Sequence, residues 1–77
     1  MTVKVYSTTS CPYCVMAKKF LSAHNIEYQD INVGEDKAAA DEMVEKSGQR
    51  GVPVLDINGT IIIGFDMGAI KQALGLP

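Results

Sequence analysis

The sequence predicts an α/β fold with the element order β-α-β-α-β-β-α, in which one four-stranded mixed sheet has helices on both faces. Two observations predict it. Runs rich in β-branched residues alternate with segments of helical spacing, which is typical of strand–helix–strand units with parallel strands. Near the carboxyl end, Asn58-Gly59 separates two short apolar runs, and this dipeptide favours a type I′ hairpin between antiparallel strands.

The first strand is predicted over residues 3–7, where β-branched and aromatic side chains are concentrated. A hydroxyl-rich loop over residues 8–10 leads into a helix from Pro12 to about His24. Apolar residues recur in it at helical spacing, which predicts a core-facing stripe made of Tyr13, Met16, Ala17, Phe20 and Leu21. Asn25 suits the left-handed position that ends a helix.

The middle of the chain predicts a strand near residues 27–32, followed by a helix over residues 36–47. Apolar and polar residues alternate in the strand segment, and Gly34 ends it. Asp36 can cap the helix. Its apolar stripe comprises Ala39, Ala40, Met43 and Val44, and the helix ends at Ser47-Gly48.

The carboxyl-terminal third predicts strands over residues 53–57 and 60–63, on either side of the hairpin turn. A last helix from Met67 to about Leu74 follows Asp66, which is a good N-cap residue. Met67, Ile70 and Leu74 share one of its faces, and Gly75 ends it. Together these elements have the topology of the thioredoxin fold.

Length and composition exclude several classes of protein. We expect one domain over residues 1–77, because a chain of 77 residues can bury only one small core. The net charge of −2 argues against nucleic acid and anionic membranes as partners. The amino-terminal segment lacks the pattern of a targeting peptide, and no apolar run, residues 61–63 included, is long enough to span a membrane. We therefore expect a cytoplasmic monomer.

The only two cysteines lie in the segment Cys11-Pro12-Tyr13-Cys14, at the junction of the first strand and the first helix. Proline is favoured at the first helical position, which makes Cys11 the N-cap. There its sulfur faces unpaired N–H groups and the positive end of the helix dipole, and both stabilise a thiolate. Cys14 lies nearly one turn further along. This spacing predicts a redox dithiol in which Cys11 is the nucleophile and Cys14 the resolving thiol.

Other residues near the pair have two interpretations each. Tyr13 either packs against a substrate or begins the core stripe. Lys18 could add positive potential near the cysteines, although a solvated helix face is favoured. Pro53 is more often a trans proline at a strand start than a cis one. Asp66 could bind a ligand amine, although the N-cap role is favoured, and His24 is too distant for a catalytic or metal-binding role.

Three motifs together resemble the glutaredoxin family: Cys11-Pro12-Tyr13-Cys14, Gly51-Val52-Pro53 and Gly64-Phe65-Asp66. The resemblance extends over essentially the whole chain in element order and motif spacing, and it is strongest to small bacterial glutaredoxin-like proteins. It implies a thiol–disulfide oxidoreductase that uses glutathione as a co-substrate and needs no metal.

The resemblance also implies roles for individual residues. Pro53 would be cis, and the main chain of Val52 would pair with glutathione or a substrate peptide as a short strand. Asp66 would hold the γ-glutamyl end of glutathione and Arg50 its glycyl carboxylate. Tyr13 would be the aromatic residue of the active-site loop.

The chain departs from the usual glutaredoxin pattern at three places. Thr8 stands where many members have lysine, Gly51 replaces the threonine of Thr-Val-Pro, and Gly64-Phe65 replaces Gly-Gly. Gly-Phe is similar to glutaredoxin-like donors of ribonucleotide reductase, which accept electrons from thioredoxin reductase. The electron donor therefore remains open between glutathione and a thioredoxin-reductase-type protein.

The leading hypothesis is an enzyme that reduces disulfide-containing proteins, glutathione mixed disulfides, or both, through Cys11 and Cys14. Two other classes compete with it. A metal or iron–sulfur module would use the same cysteines, although one chain has too few thiolates and only the distant His24 to complete a zinc site. A redox-inactive interaction domain is disfavoured because both cysteines are present.

Overall fold

The computed structural model describes all 77 residues and contains the predicted elements in the predicted order. They are β1 (Val3–Ser7), α1 (Pro12–Ala23), β2 (Gln29–Asn32), α2 (Lys37–Ser47), β3 (Val54–Ile57), β4 (Thr60–Ile63) and α3 (Met67–Leu74). The longest helix, α1, has 12 residues, and no helix has the length and apolar character needed to cross a membrane.

The sheet has the strand order β2-β1-β3-β4 and is mixed, as predicted. Strand β1 runs parallel to β2 and antiparallel to β3, and β4 is antiparallel to β3. In the turn between β3 and β4, Asn58 and Gly59 have φ of 53° and 93°. Positive φ at both central residues is the signature of the predicted type I′ turn.

Two strand boundaries differ from the prediction. Strand β2 begins at Gln29 rather than near residue 27, because its ladder with β1 starts where Gln29 lies opposite Lys4. Strand β3 begins at Val54 rather than Pro53. Proline has no N–H to donate to the ladder, so pairing with β1 starts one residue later.

Each face of the sheet is covered by helix, and the two faces form separate cores. One face packs against α1 and α3 and buries Val3, Val5, Ala17, Leu21, Leu55, Ile57, Ile62, Ile70 and Leu74. The other packs against α2 and buries Tyr6, Met43 and Val54. Alternation along β1 explains the division, because Val5 and Tyr6 are neighbours that point to opposite faces. The sheet is thus fixed from both sides.

Two of the predicted apolar stripes are partly wrong. Tyr13 and Met16 are 62% and 46% exposed, and the buried residues of α1 are Cys14, Ala17 and Leu21. The core-facing stripe is therefore rotated from the predicted one, and it includes the second cysteine. In α3, Met67 is 44% exposed because it occupies the first helical position, before the face that contacts the sheet.

A polar network attaches α2 to the sheet. Lys46 donates hydrogen bonds to the hydroxyl of Tyr6 at 2.9 Å and to Asp56 Oδ2 at 2.8 Å. The Tyr6 hydroxyl donates to Glu42 Oε1, which also forms an ion pair with Lys46 at 3.1 Å. The network links one helix to β1 and β3, and all its polar groups have partners.

Candidate active site

Cys11 is the N-cap of α1, as predicted. Its backbone is extended, with φ of −112° and ψ of 106°, and Pro12 occupies the first helical position. The main-chain N–H of Cys14 donates to Cys11 Sγ at 3.1 Å. The sulfur therefore occupies the place where a serine or aspartate oxygen commonly caps a helix. The sulfur thus lies at the positive end of the helix dipole, with a main-chain N–H directed at it.

Cys14 lies in a different environment, fully buried on the core side of α1. Burial raises the pKa of the Cys14 thiol from 9.0 to about 11. Contact with the thiol of Cys11 acts in the same direction, whereas the main chain of Thr8 and the charge of Lys18 oppose it. Both cysteines are free thiols in this structure. The two sulfurs therefore differ in access, and burial opposes ionisation of Cys14.

The Val52-Pro53 peptide bond is cis, and this segment lies against the first cysteine. The thiol of Cys11 donates to Val52 O, with 3.8 Å between sulfur and oxygen. The prediction of a trans Pro53 from the strand-start pattern is wrong, and the cis Pro53 implied by the glutaredoxin resemblance is confirmed. The second motif is thus brought into direct contact with the first.

The third motif joins the same region through Pro53. The N–H of Gly64 donates to Pro53 O at 2.8 Å, which places the segment before α3 beside the cis proline. Asp66 is exposed and caps α3, because its Oδ1 accepts from the N–H of Ala69 at 3.1 Å. The N-cap interpretation of Asp66 is confirmed, and its second carboxylate oxygen makes no hydrogen bond within the protein.

Tyr13, Arg50 and His24 make no hydrogen bond to this cluster through their side chains. Tyr13 is exposed at the amino-terminal turn of α1, so the core interpretation of this residue is wrong. Arg50 is exposed in the loop before Val52. His24 packs on Phe20 with 4.5 Å between ring centroids, at the opposite end of α1 from the cysteines.

Lys18 belongs to a polar cluster that sequence inspection did not predict. Its Nζ lies 3.0 Å from Asp30 Oδ2, and Ser7 Oγ donates to Asp30 Oδ1 at 2.7 Å. Burial tends to raise the pKa of Asp30, but the hydrogen bonds from Ser7 and Lys18 outweigh it and hold the pKa below its ordinary value. Lys18 is thus an ion-paired residue rather than part of a fully solvated face.

Residues that could hold a metal ion are not gathered anywhere in the structure. No group of three or more histidine, cysteine, aspartate and glutamate side chains lies close enough together to form such a site. Chemically, the site contains a helix-capping thiol beside the partly buried Val52 and a second, buried thiol one helical turn away.

Comparison with known proteins identifies the family. The family model described as Glutaredoxin matches residues 3–62, which include the cysteine motif and the cis proline. The chain belongs to the glutaredoxin family. With the two adjacent cysteines of its Cys-x-x-Cys motif, it is a glutaredoxin-like thiol–disulfide oxidoreductase.

Similar sequences include proteins named glutaredoxin and proteins named glutaredoxin-like. An uncharacterised glutaredoxin-like 8.6 kDa protein in the rubredoxin operon of Clostridium pasteurianum is 42% identical, over 94% of this chain and 96% of that protein. A glutaredoxin of Neisseria meningitidis is also 42% identical, over 97% and 91%. The glutaredoxin-like protein NrdH of Lactococcus lactis is 36% identical, over 82% and 86%.

Solved structures confirm the thioredoxin fold. A mutant of the thioredoxin-like protein BC3987 superposes with a TM-score of 0.92 at 29% identity, covering 99% of this chain and 97% of that one. A buckwheat glutaredoxin in complex with glutathione superposes with a TM-score of 0.76 at 32% identity, covering 95% and 69%.

Proposed function

We propose that this protein reduces protein disulfides and glutathione mixed disulfides through Cys11 as nucleophile and Cys14 as resolving thiol. The observation that carries the proposal is the position of Cys11 Sγ, which accepts from the N–H of Cys14 at the helix start and lies beside Val52 O. Only this cysteine is partly exposed, since Cys14 is buried. Such chemistry needs reduced thiols, so we place the protein in the cytosol, where they are maintained.

The reaction proceeds by two exchanges. The thiolate of Cys11 attacks one sulfur of the substrate disulfide, forming a mixed disulfide, and the other sulfur leaves as a thiolate that takes up a proton. Cys14 then loses its proton and attacks Cys11 Sγ, which releases the second substrate thiol. The substrate gains two electrons, and the protein is left with a disulfide between Cys11 and Cys14 that an external reductant must cleave.

A substrate peptide would dock on the main chain of Val52. A cysteine-containing segment that pairs with Val52 as a short strand would place its sulfur beside Cys11, because Cys11 already contacts Val52 O. The exposed ring of Tyr13, at the first turn of α1, offers apolar contact to the same segment. Main-chain pairing of this kind suits many peptide sequences.

Glutathione would be held at its two ends by opposite charges. The γ-glutamyl amine would bind the second carboxylate oxygen of Asp66, and the glycyl carboxylate would bind Arg50. The buckwheat glutaredoxin, whose structure contains glutathione, supports this co-substrate for a chain with the same fold.

Two single-cysteine variants test the proposed roles. Cys11→Ser should abolish exchange with every disulfide, because no accessible nucleophile remains. Cys14→Ser should still reduce a glutathione mixed disulfide, since free glutathione can release the second product, but should lose reduction of protein disulfides. Turnover is measured with a glutathionylated peptide and with a disulfide-bonded protein. Exchange that survives in Cys11→Ser would contradict the assignment.

A second candidate function is electron donation with thioredoxin reductase as the reductant. It is favoured by the similarity to the Lactococcus NrdH protein and by the Gly64-Phe65 sequence before α3. Turnover with glutathione and glutathione reductase is compared with turnover with thioredoxin reductase. Efficient reduction by thioredoxin reductase alone would identify a thioredoxin-like donor, whereas reduction by glutathione would support the co-substrate role.

A further inference from the structure

In the loop between α2 and the cis proline, the side chain of Gln49 clamps the main chain of Gly51. The amide group of Gln49 bonds both main-chain polar groups of Gly51. The N–H of Gly51 donates to Gln49 Oε1 at 2.6 Å, and Gln49 Nε2 donates to Gly51 O at 3.0 Å. One side chain therefore satisfies the donor and the acceptor of the residue that precedes Val52.

This clamp depends on the absence of a side chain at residue 51. A Cβ atom placed on Gly51 would lie 2.7 Å from Gln49 Oε1, closer than real Cβ contacts. The glutamine amide thus occupies the space that a larger residue would need. Gln49 and Gly51 form an interdependent pair.

The clamp is anchored to the end of α2. Ser47 Oγ lies 2.7 Å from Met43 O and 3.0 Å from Gln49 O, and Gln49 Nε2 approaches Ser47 Oγ at 3.5 Å. The hydroxyl therefore connects the last turn of the helix to the clamping residue. A continuous series of hydrogen bonds runs from α2 to Gly51.

The clamp leaves Val52 available to a substrate. Both main-chain groups of Gly51 are occupied by Gln49, whereas Val52 O faces Cys11 Sγ at 3.8 Å. A loop fixed before binding loses less conformational freedom when a peptide pairs with it, and this strengthens binding. The benefit falls on substrates that use the main chain of Val52.

We propose that Gln49 is a positioning residue that clamps Gly51 and so presents the main chain of Val52 to thiol peptides beside Cys11. The proposal rests on the proposed docking of substrates at Val52. It assigns Gln49 no contact with the reacting sulfurs. Its effect should therefore lie in substrate binding and not in the chemistry of the thiol.

Kinetics of Gln49→Ala with two disulfides test this role. For a glutathionylated peptide, KM should rise about fivefold to tenfold with kcat little changed. The variant loses the hydrogen bonds that order the loop before binding, and their net contribution to binding is about that of one hydrogen bond. The second-order rate with dithiobis-nitrobenzoate, which has no peptide groups, should stay within about twofold. Gln72→Ala, at an exposed glutamine of α3, serves as the control and should match the wild type.

The outcomes separate the clamp from the proposed function. An unchanged KM for the peptide in Gln49→Ala would overturn the clamp while leaving the cysteine chemistry intact. An equal loss of activity toward the glutathionylated peptide and dithiobis-nitrobenzoate would also overturn the clamp, because it would indicate that Gln49→Ala damages the protein in general. If the wild-type protein fails to reduce the glutathionylated peptide, the proposed function itself fails.

Substitutions at Gly51 test the interdependence. Gly51→Ala should raise KM for the peptide about as much as Gln49→Ala does, about fivefold to tenfold, because the flexible Gln49 amide must move away from the new Cβ and release Gly51. The double variant Gln49→Ala/Gly51→Ala should have the same KM as either single variant. If the increases in KM of the two single variants added together in the double variant, the interdependence of Gln49 and Gly51 would be contradicted. Should Gln49→Ala melt before assay, Gln49→Glu keeps the acceptor for Gly51 and loses only the donor, and it should raise KM about threefold.

Discussion

The two cysteines lie within one helical turn, yet their surroundings assign them opposite properties. Cys11 caps α1 and is partly exposed, with a main-chain donor directed at its sulfur. Cys14 is buried and is held as a neutral thiol. A nucleophile must reach its substrate, whereas a resolving thiol must reach only its neighbour. The asymmetry therefore fits a dithiol that forms a mixed disulfide first and resolves it second.

The protonation of Cys14 can be measured in isolation. In Cys11→Ser, burial still favours the neutral thiol, so alkylation of Cys14 by iodoacetamide at neutral pH should be at least about tenfold slower than that of a free cysteine. Its rate should keep rising with pH beyond 9, as the thiolate fraction grows. A fast reaction that levels off below pH 8 would contradict the buried resolving thiol.

Asp66 combines a structural and a proposed binding role, and two substitutions separate them. Asp66→Asn keeps a side-chain oxygen for the N–H of Ala69 and removes the charge, so stability should hold while KM for glutathione mixed disulfides rises. Asp66→Ala loses the cap as well, at about 1 kcal/mol of stability. Urea unfolding and steady-state kinetics measure the two effects. Unchanged kinetics in Asp66→Asn would exclude the charge from binding.

At the scale of elements, the position of α2 matters because its last turn leads into the loop on which we propose that substrates dock. The helix packs through Met43 and is attached to the sheet by Lys46, which bonds both Tyr6 and Asp56. Tyr6 lies 40 positions from Lys46 in the chain, and Asp56 lies 10 positions from it on the next strand. These bonds fix where the loop containing Gln49 begins.

Lys46→Met should destabilise the protein by about 1–2 kcal/mol, since it leaves Asp56 and the Tyr6 hydroxyl without their cation. Lys37→Met on the same helix is the matched control. Its ion pair with Asp41 is 3.5 Å long and its side chain is 92% exposed, so the loss should be below about 0.5 kcal/mol. Urea midpoints of the two variants provide the comparison. Equal midpoints would show that the network contributes nothing.

Sequence patterns predicted the elements well because periodicity and turn chemistry are local. The helical spacing in α1 and the Asn58-Gly59 turn each depend on a few neighbouring residues. The stripe of α1 was misplaced because Tyr13 and Met16 are apolar but face solvent. Hydrophobicity alone cannot distinguish a core residue from an exposed one beside an active site.

Long-range polar contacts could not be predicted in this way. Asp30 meets Ser7 only because parallel pairing of β1 and β2 brings together residues 23 positions apart. The clamp at Gly51 is local, but a glutamine two residues before a glycine is too common a pattern to predict it. The cis proline was predicted through the family motif, whereas the capping role of Asp66 followed from its position before a helical pattern.

For the whole molecule, ionised carboxylates link stability to pH. The hydrogen bond from Tyr6, with help from Lys46, holds the pKa of Glu42 below its ordinary value. Burial tends to raise the pKa of Asp56, but the Lys46 bond outweighs it and lowers the net value. The folded protein therefore binds fewer protons than the unfolded chain in mild acid, and its stability is lost as pH falls.

Urea midpoints should accordingly be flat from about pH 7 to pH 5 and fall steeply below about pH 4, where these carboxyls take up protons. Lys46→Met should reduce this slope, because it removes a cation that lowers the pKa of both Glu42 and Asp56. Stability that rises on acidification would contradict the assignment of these groups as ionised partners.

The candidate active site exists only in the folded molecule, because it brings together three separate segments. Cys11 meets Val52 across 41 positions, and Gly64 bonds Pro53 from the far side of the β3–β4 hairpin. The sheet and the starts of α1 and α3 hold these segments together. Reactivity at Cys11 should therefore depend on the intact fold.

Mass spectrometry of the glutathione adduct tests the central claim most directly. Reduced Cys14→Ser protein is mixed with glutathione disulfide, and the modified residue is identified by peptide mapping. We predict one glutathione on Cys11, and no adduct on Cys14 when Cys11→Ser is treated in the same way. An adduct that forms on Cys14 as readily as on Cys11 would contradict the assignment of Cys11 as the nucleophile.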